Sequence, residues 1–232
     1  MSKRPYLLIH GCYKGGWIWQ PVADRLQAAG HRVYHPSLDG CGERSGSLRP
    51  GITIGSQARE MARLLMMEDL RDVHLVATSN GGNVALTTAA LARERVARIT
   101  LVDAVVLYPG ERLKDAFPDR PGREEPFESD GVSVPIMWPA TGDYGVGPEL
   151  AAWESERSTR QPVAMMNGVM EDCGFWNHHW PVTMICCKRS ENPGEAHQRR
   201  AAERLQAKWL ELDTGHLPFL SVPDELTAML LD

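Results

Sequence analysis

Short, uninterrupted apolar runs that alternate with helix-like segments constrain the fold of this chain most. The run YLLIHG at residues 6–11 stops at a glycine, and the run VHLVAT at residues 73–78 stops just before a serine. Between such runs, apolar residues recur at helical spacing, as Val22, Leu26 and Ala29 do. Continuous apolar strands that alternate with helices are typical of a parallel sheet covered on both faces. We therefore predict an α/β fold with a doubly wound, mostly parallel sheet.

The other predicted elements follow the same pattern. The further strands are 32–38, 97–105, 182–187 and 208–213, and the helices are 17–31, 55–68, 80–94, 195–207 and a last one after Pro223. A chain of 232 residues is usual for one α/β domain, so we expect all these elements to share one sheet.

Residues 107–180 interrupt the alternation. They contain four of the seven tryptophans and show no clear strand. A structureless loop of that length is improbable inside a compact domain, so we predict an inserted helical cap with helices near 148–158 and 161–171. An insertion between two parallel strands lies over the edge where such sheets carry their sites. The prediction divides the chain into an α/β core, residues 1–106 and 181–232, and a cap, residues 107–180.

Charge and composition exclude several classes of partner. The net charge is -5 and both signs are spread along the chain, which is unlike a nucleic-acid-binding surface. No apolar run approaches the roughly 18 residues that a membrane span needs. The five cysteines are odd in number and irregularly spaced, which favours a reducing compartment. The first residues lack a signal-peptide cleavage site, so we expect a cytoplasmic protein. The partner that we expect is a small-molecule substrate. The sequence leaves the oligomeric state open, a homodimer included.

The segment VATSNGGNVAL at residues 76–86 places a lone hydroxyl between a strand and a helix. Ala77 and Gly81 lie two residues before and after Ser79, which gives the small-x-Ser-x-small pattern of a nucleophile elbow. Small flanking residues are needed because a bulky side chain would strike the neighbouring strand or helix. The alternative is that Ser79 only caps the helix over 80–94.

Two further segments favour the catalytic interpretation. In HGCYKGGWIW, residues 10–19, a tight turn offers the amide of Cys12, which could form a two-donor oxyanion hole with the amide of Asn80. In DTGHLPFL, residues 213–220, His216 lies in a loop from which it can reach Ser79 and act as a general base.

These segments, with AAGHRVYHPSLDGCGERSG and LVDAVV, resemble the α/β-hydrolase superfamily, and the chain is most similar to the small plant esterase and hydroxynitrile lyase group with its bacterial relatives. The resemblance implies a nucleophile at Ser79, a base at His216, a helical cap, no metal and no organic cofactor. Hydroxynitrile lyases of this group carry a lysine after the catalytic histidine and a threonine after the first histidine. Here those positions are Leu217 and Gly11, which favours hydrolysis over cyanohydrin cleavage.

The acid of the triad has several candidates. In the group that the chain resembles, it follows the penultimate strand, where this chain has Ser190 in CCKRSENPGE. We favour Asp103, at the end of the strand ITLVDAV, because haloalkane dehalogenases take their acid from the corresponding strand. The adjacent Glu191 is an alternative acid, and a chain without a functional acid is another. A carboxylate on Nδ1 of His216 would hold the ring in its tautomer.

Several side chains are expected to line an apolar, adaptable substrate pocket. They are Gly11, Trp138, Trp153, Met166 and Trp176. The sequence thus predicts a serine hydrolase that cleaves a small, fairly apolar ester, lactone or thioester through an acyl-enzyme. One alternative is a non-hydrolytic enzyme on the same scaffold, a lyase, cyclase or cofactor-free oxygenase that uses His216 as base. The other is a catalytically weak protein that binds a small ligand.

Overall fold

The computed structural model describes residues 3–117, 126–136 and 146–232, so Trp138 lies outside the described residues. The strands are β1 (Tyr6–Ile9), β2 (Val33–Tyr34), β3 (Val73–Ser79), β4 (Val96–Ala104), β5 (Ser133–Val134), β6 (Gln161–Pro162), β7 (Val182–Cys187) and β8 (Lys208–Leu212). The helices are α1 (Gln20–Ala28), α2 (Ile54–Met67), α3 (Gly81–Leu91), α4 (Pro148–Arg157), α5 (Val163–Asn167), α6 (Glu195–Leu205), α7 (Pro218–Ser221) and α8 (Pro223–Leu231). None of the helices in these ranges is long and apolar enough to cross a bilayer.

Six strands form one parallel sheet in the order β2-β1-β3-β4-β7-β8. Successive side chains of a strand point to opposite faces, so each strand contributes to two apolar layers. Leu7 and Leu75 pack with α2, α3 and α6 on one face. Leu8 and Val76 pack with α1 and α8 on the other face. The predicted doubly wound α/β fold is confirmed.

Local sequence signals explain how α2 begins. The Thr53 hydroxyl accepts a hydrogen bond from the Ser56 amide at 3.0 Å, and the Ser56 hydroxyl accepts one from the Thr53 amide at 2.8 Å. This reciprocal pair satisfies two amides that the first helical turn cannot bond internally. Ala58, Met61 and Leu65 then recur at helical spacing and turn the buried face of α2 toward the sheet.

Two predicted helices differ from the structure. The helix predicted over 17–31 begins as a 3₁₀ turn at Gly16–Trp19, and its α-helical part starts only at Gln20. The helix predicted over 161–171 is reduced to α5, because Pro162 precedes its first residue and the extended Gly168 ends it.

The chain between β4 and β7 holds α4, close to its predicted range, and α5. It also contains a short antiparallel pair, β5 with β6, where the sequence showed no clear strand. We call residues 107–180 the cap segment, and its role as a separate cap remains a proposal.

Candidate active site

The turn between β3 and α3 displays Ser79. Ser79 is the last residue of β3 and has a φ of 52°, a left-handed conformation that is strained for a residue with a side chain. A Cβ atom added at Gly81 would lie 2.3 Å from the His10 carbonyl oxygen, and one added at Gly82 would lie 2.6 Å from the Val105 carbonyl oxygen. The two glycines are therefore required by the close approach of α3 to its neighbours.

The neighbouring strand β4 also ends in an unusual conformation. Thr78 pairs with Val102 and Ser79 pairs with Ala104, so Asp103 is the extra residue of a β-bulge. Asp103 has a φ of 46° and its side chain is fully buried. A bulge redirects the side chain of its extra residue, and here it directs the carboxylate toward the loop after β8.

His216 lies in that loop, between β8 and α7. Its Nδ1 atom is 2.6 Å from Oδ2 of Asp103. A carboxylate accepts the Nδ1 proton of a neutral imidazole, and this contact makes Nε2 the basic nitrogen. Glu191, the alternative acid, is exposed in the loop after β7, and the carboxylate on Nδ1 is that of Asp103.

The Asp103 carboxylate accepts three further hydrogen bonds. Its Oδ2 accepts one from the Ser190 hydroxyl at 2.5 Å, and its Oδ1 accepts one from Nε2 of Gln198 at 2.8 Å. The Cys187 amide donates a longer one at 3.4 Å. Sequence reasoning did not identify Gln198, because a glutamine on an amphipathic helix gives no signal of what it contacts.

A buried histidine orders the turn after β1. Nε2 of His10 accepts a hydrogen bond from the Leu38 amide at 2.9 Å, so its Nδ1 donates to the Gly11 carbonyl oxygen at 2.8 Å. Burial lowers the pKa of His10 to about 4, which keeps the ring neutral near pH 7. A Cβ atom added at Gly11 would lie 2.5 Å from Cβ of Ser79, so the turn after β1 packs directly against Ser79.

The same turn is tied to the cap segment. Tyr13 has a φ of 65°, and its amide donates a hydrogen bond to Oε1 of Gln161 at 2.7 Å. The Thr159 amide donates to the Tyr13 carbonyl oxygen at 2.9 Å. Lys14 forms a largely buried ion pair with Glu154 of α4. Residues of the cap segment thus hold the turn in a conformation that a non-glycine residue rarely adopts.

One pocket brings together the candidate catalytic and oxyanion-hole residues from three separate segments. Ser79, His216, Cys12 and Asn80 all line it. Gly11 and Met166 also line it. Much of the remaining wall is apolar and consists of Ile18, Val105, Leu113, Phe117, Leu217 and Phe219.

Two predicted pocket residues lie elsewhere. Trp153 packs edge-on against Trp17 with ring centroids 5.1 Å apart, and Arg157 covers its face. Trp176 packs against Tyr108 with ring centroids 5.0 Å apart. Trp153 and Trp176 are not among the described residues that line this pocket, and each ring is turned toward an aromatic partner outside it.

The side chains of Cys12 and Asn80 are fixed by contacts with α5. Sγ of Cys12 lies 3.5 Å from Sδ of Met166, and burial raises the pKa of this thiol to about 12. Nδ2 of Asn80 donates a hydrogen bond to the Met165 carbonyl oxygen at 2.9 Å. Because the Cys12 thiol stays protonated near neutral pH, it is a poor nucleophile.

The family model described as the alpha/beta hydrolase family matches residues 6–229. The match spans nearly the whole chain, so the chain belongs to the alpha/beta hydrolase family and is an enzyme of that class.

Individual relatives agree with this assignment. Methylesterase 7 of Arabidopsis thaliana is 25% identical over 257 residues, which cover 100% of this chain and 96% of that protein. A carbendazim hydrolyzing esterase of Nocardioides sp. (strain SG-4G) is 32% identical over 113 residues, which cover 49% of this chain and 47% of the esterase. The match thus spans about half the length of that second protein. The resemblance to the plant esterase group, predicted from the motifs, is confirmed.

A solved structure shows the same fold. An extracellular alpha/beta-hydrolase from a Paenibacillus species superimposes with a TM-score of 0.86 over 98% of both chains. The two sequences are 19% identical, so this likeness concerns the fold.

Proposed function

We propose that this protein is a serine hydrolase that cleaves a small, fairly apolar carboxylic ester, lactone or thioester through an acyl-enzyme. The observation that carries the proposal is the 2.6 Å contact between Asp103 and His216 at a pocket that also exposes Ser79 on a strained turn. A nucleophile, a base and a group that orients the base are the parts that covalent catalysis by serine requires.

The proposed chemistry has two balanced halves. Oγ of Ser79 attacks the substrate carbonyl carbon while Nε2 of His216 takes the hydroxyl proton, and the backbone amides of Cys12 and Asn80 hold the resulting oxyanion. The tetrahedral intermediate then expels the alcohol or thiol, which receives the proton from His216. Water repeats the sequence on the acyl-enzyme and releases the acid. Asp103 orients His216 and stabilises the imidazolium in both halves.

The residues that line the pocket favour an uncharged, apolar substrate. Its wall includes Phe117, Met166 and Phe219, whose side chains offer apolar surface. Lys14 also lines the pocket, but its ammonium group is paired with Glu154. An anionic substrate would have to compete with that carboxylate, so the site favours a neutral ester. The names of the two relatives, a methylesterase and an esterase, agree with this substrate class.

A covalent probe tests the proposal directly. The full chain is treated with a fluorophosphonate, and the labelled peptide is identified by mass spectrometry. We expect the label on Ser79, and we expect Ser79→Ala to lower kcat for p-nitrophenyl butyrate by on the order of 10⁴-fold or more. Ser129→Ala is the matched control, because this exposed serine lies outside the pocket and its loss is expected to leave kcat unchanged.

Two results would contradict the acyl-enzyme. If Ser79→Ala keeps turnover within about tenfold of the wild type, Ser79 only positions substrate and a non-hydrolytic reaction with His216 as base is favoured. If no ester, lactone or thioester is turned over while a small ligand raises Tm, the protein binds its ligand without hydrolysing it.

A further inference from the structure

We propose that Ser190 and Gln198 are positioning residues that hold the Asp103 carboxylate in place and direct it at His216. The inference rests on the proposed hydrolase function and concerns two side chains that touch neither the substrate nor the reacting atoms. Both lie on the chain that follows β7, Ser190 in the loop and Gln198 in α6.

The orientation of the Gln198 amide is the first observation. Its Nε2 lies 2.8 Å from Oδ1 of Asp103 and 3.2 Å from the Pro193 carbonyl oxygen, and the side chain is fully buried. Its Oε1 is buried and has no hydrogen-bond partner among the described residues. Turning the amide round would bring Oε1 against two acceptors, so the carboxylate and the carbonyl determine this orientation. A buried oxygen left without a donor costs free energy, which the donation to Asp103 offsets.

The bonding of the Ser190 hydroxyl is the second observation. Its Oγ donates to Oδ2 of Asp103 at 2.5 Å and accepts a hydrogen bond from the Asn192 amide at 3.2 Å. The Ser190 amide in turn donates to the Cys187 carbonyl oxygen at 2.9 Å. The hydroxyl proton is thus directed at the same carboxylate oxygen that contacts Nδ1 of His216.

Donors on a carboxylate stabilise its charged form and lower its attraction for a further proton. Ser190 and Gln198 each direct a donor hydrogen at this carboxylate, so its negative charge is shared among these donors and His216. Removing either donor increases the negative charge that His216 meets, which stabilises the imidazolium. The pH below which the enzyme loses activity should therefore rise, because protonated His216 cannot accept the Ser79 proton.

The other titratable groups nearby do not reproduce this effect. Cys186 and Cys187 of β7 lie near Asp103, and burial raises the pKa of both thiols, that of Cys186 to about 12, so both stay neutral in the relevant range. In the pocket, the Cys12 thiol is also neutral and Lys14 is paired with Glu154. Glu191 is exposed in the loop after β7, and the carboxylate on Nδ1 of His216 is that of Asp103.

The test compares the pH dependence of kcat/KM for p-nitrophenyl butyrate in Gln198→Met and Ser190→Ala with that of the wild type. We expect the acidic pH at which kcat/KM falls to half its maximum to rise by roughly half to one pH unit in each variant. The maximum of kcat/KM itself should fall about tenfold. Ser190→Thr retains a hydroxyl and should recover most of the loss. NMR titration of the His216 ring without substrate should show the same upward shift.

Gln57→Met is the matched control. Gln57 is also fully buried, its Oε1 also has no partner among the described residues, and its Nε2 donates to the Asp39 carbonyl oxygen at 2.8 Å. Because it touches no carboxylate, its replacement should lower Tm and leave the acid limb in place.

If the acid limb and the His216 titration stay unchanged in Gln198→Met and Ser190→Ala, the positioning role is wrong. If Asp103→Asn is nevertheless inactive, the proposed role of Asp103 in the hydrolase is retained and only the role of Ser190 and Gln198 is rejected. The NMR titration tests the positioning role even if no ester is hydrolysed, so the two failures are distinguishable.

Discussion

β3 and β4 lie side by side, and each places a residue with a side chain at positive φ near its carboxyl end. Ser79 has a φ of 52° and Asp103 a φ of 46°. The Ser79 hydroxyl faces a pocket and is held by a turn in which glycines allow the close approaches. The Asp103 carboxylate is fully buried and accepts hydrogen bonds from four groups. The same positive φ therefore presents a hydroxyl to a pocket in Ser79 and turns a carboxylate into a buried set of hydrogen bonds in Asp103. The surroundings of each side chain make this difference.

Removing the charge of Asp103 should have the largest effect in this comparison. Asp103→Asn keeps the shape of the side chain but turns one acceptor into a donor that cannot accept the Nδ1 proton. We expect kcat to fall by on the order of 10⁴-fold, the loss that serine hydrolases show without this group. Steady-state kinetics with p-nitrophenyl butyrate measure it.

Two further variants sharpen that result. Asp213→Asn removes the same charge from an exposed position near His216 and should change kcat by less than about twofold.

A second substitution, Ser190→Asp, in the Asp103→Asn background should recover part of the activity, because Ser190 already contacts the carboxylate oxygen that faces His216. A loss below about tenfold in Asp103→Asn would show that this carboxylate does not orient the base.

Displacing Ser79 without removing it should have an intermediate effect. In Gly11→Ala the new methyl group would lie 2.5 Å from Cβ of Ser79, so the elbow or the turn after β1 must shift. We expect kcat to fall by about 100-fold with a smaller change in KM, because a displacement near 1 Å disrupts attack.

Gly46→Ala is the matched control for this substitution. No described atom lies within 4 Å of a Cβ added there, so kinetics should be unchanged. Equal activity of Gly11→Ala and the wild type would mean that the elbow tolerates movement and is not preorganised.

The smallest expected effects are on stability, and they should have opposite signs at the two positions. Ser79→Gly relieves a strained φ and loses few contacts, so the free energy of unfolding should rise by about 1 kcal/mol. Asp103→Gly relieves similar strain but leaves Gln198 and Ser190 without their acceptor, so it should fall by about 2 kcal/mol. Urea denaturation followed by circular dichroism measures both. A rise at both positions would show that backbone strain outweighs the surroundings, and a fall at both would show that lost contacts outweigh the strain.

The two strand ends also differ in how far the sequence predicts them. The Ser79 turn follows from a local pattern, since Ala77 and Gly81 stand at fixed spacing around the serine between a strand and a helix. The choice of Asp103 over Glu191 depends on a β-bulge and on a loop from the far end of the chain, which no local pattern encodes. The sequence could therefore only favour Asp103 and keep Glu191 as an alternative.

The cap segment was the least predictable region. Its tryptophans and methionines indicate apolar surface, but the direction of each ring depends on tertiary partners. Trp153 turns to Trp17 and Trp176 to Tyr108, while Met166 faces the pocket. A short strand at β6 replaces the start of a predicted helix, since its neighbour β5 comes from a distant part of the segment.

The contacts of Tyr13 with Gln161 and Thr159 have a practical consequence for protein engineering. Exchanging the whole cap segment between related enzymes is an obvious way to alter selectivity. In this chain, a chimera with an exchanged cap segment would also lose the contacts that hold the turn that carries Cys12. A graft that ends before Thr159 and keeps residues 159–161 from the parent would preserve that support, whereas one that includes them would alter both selectivity and catalytic rate.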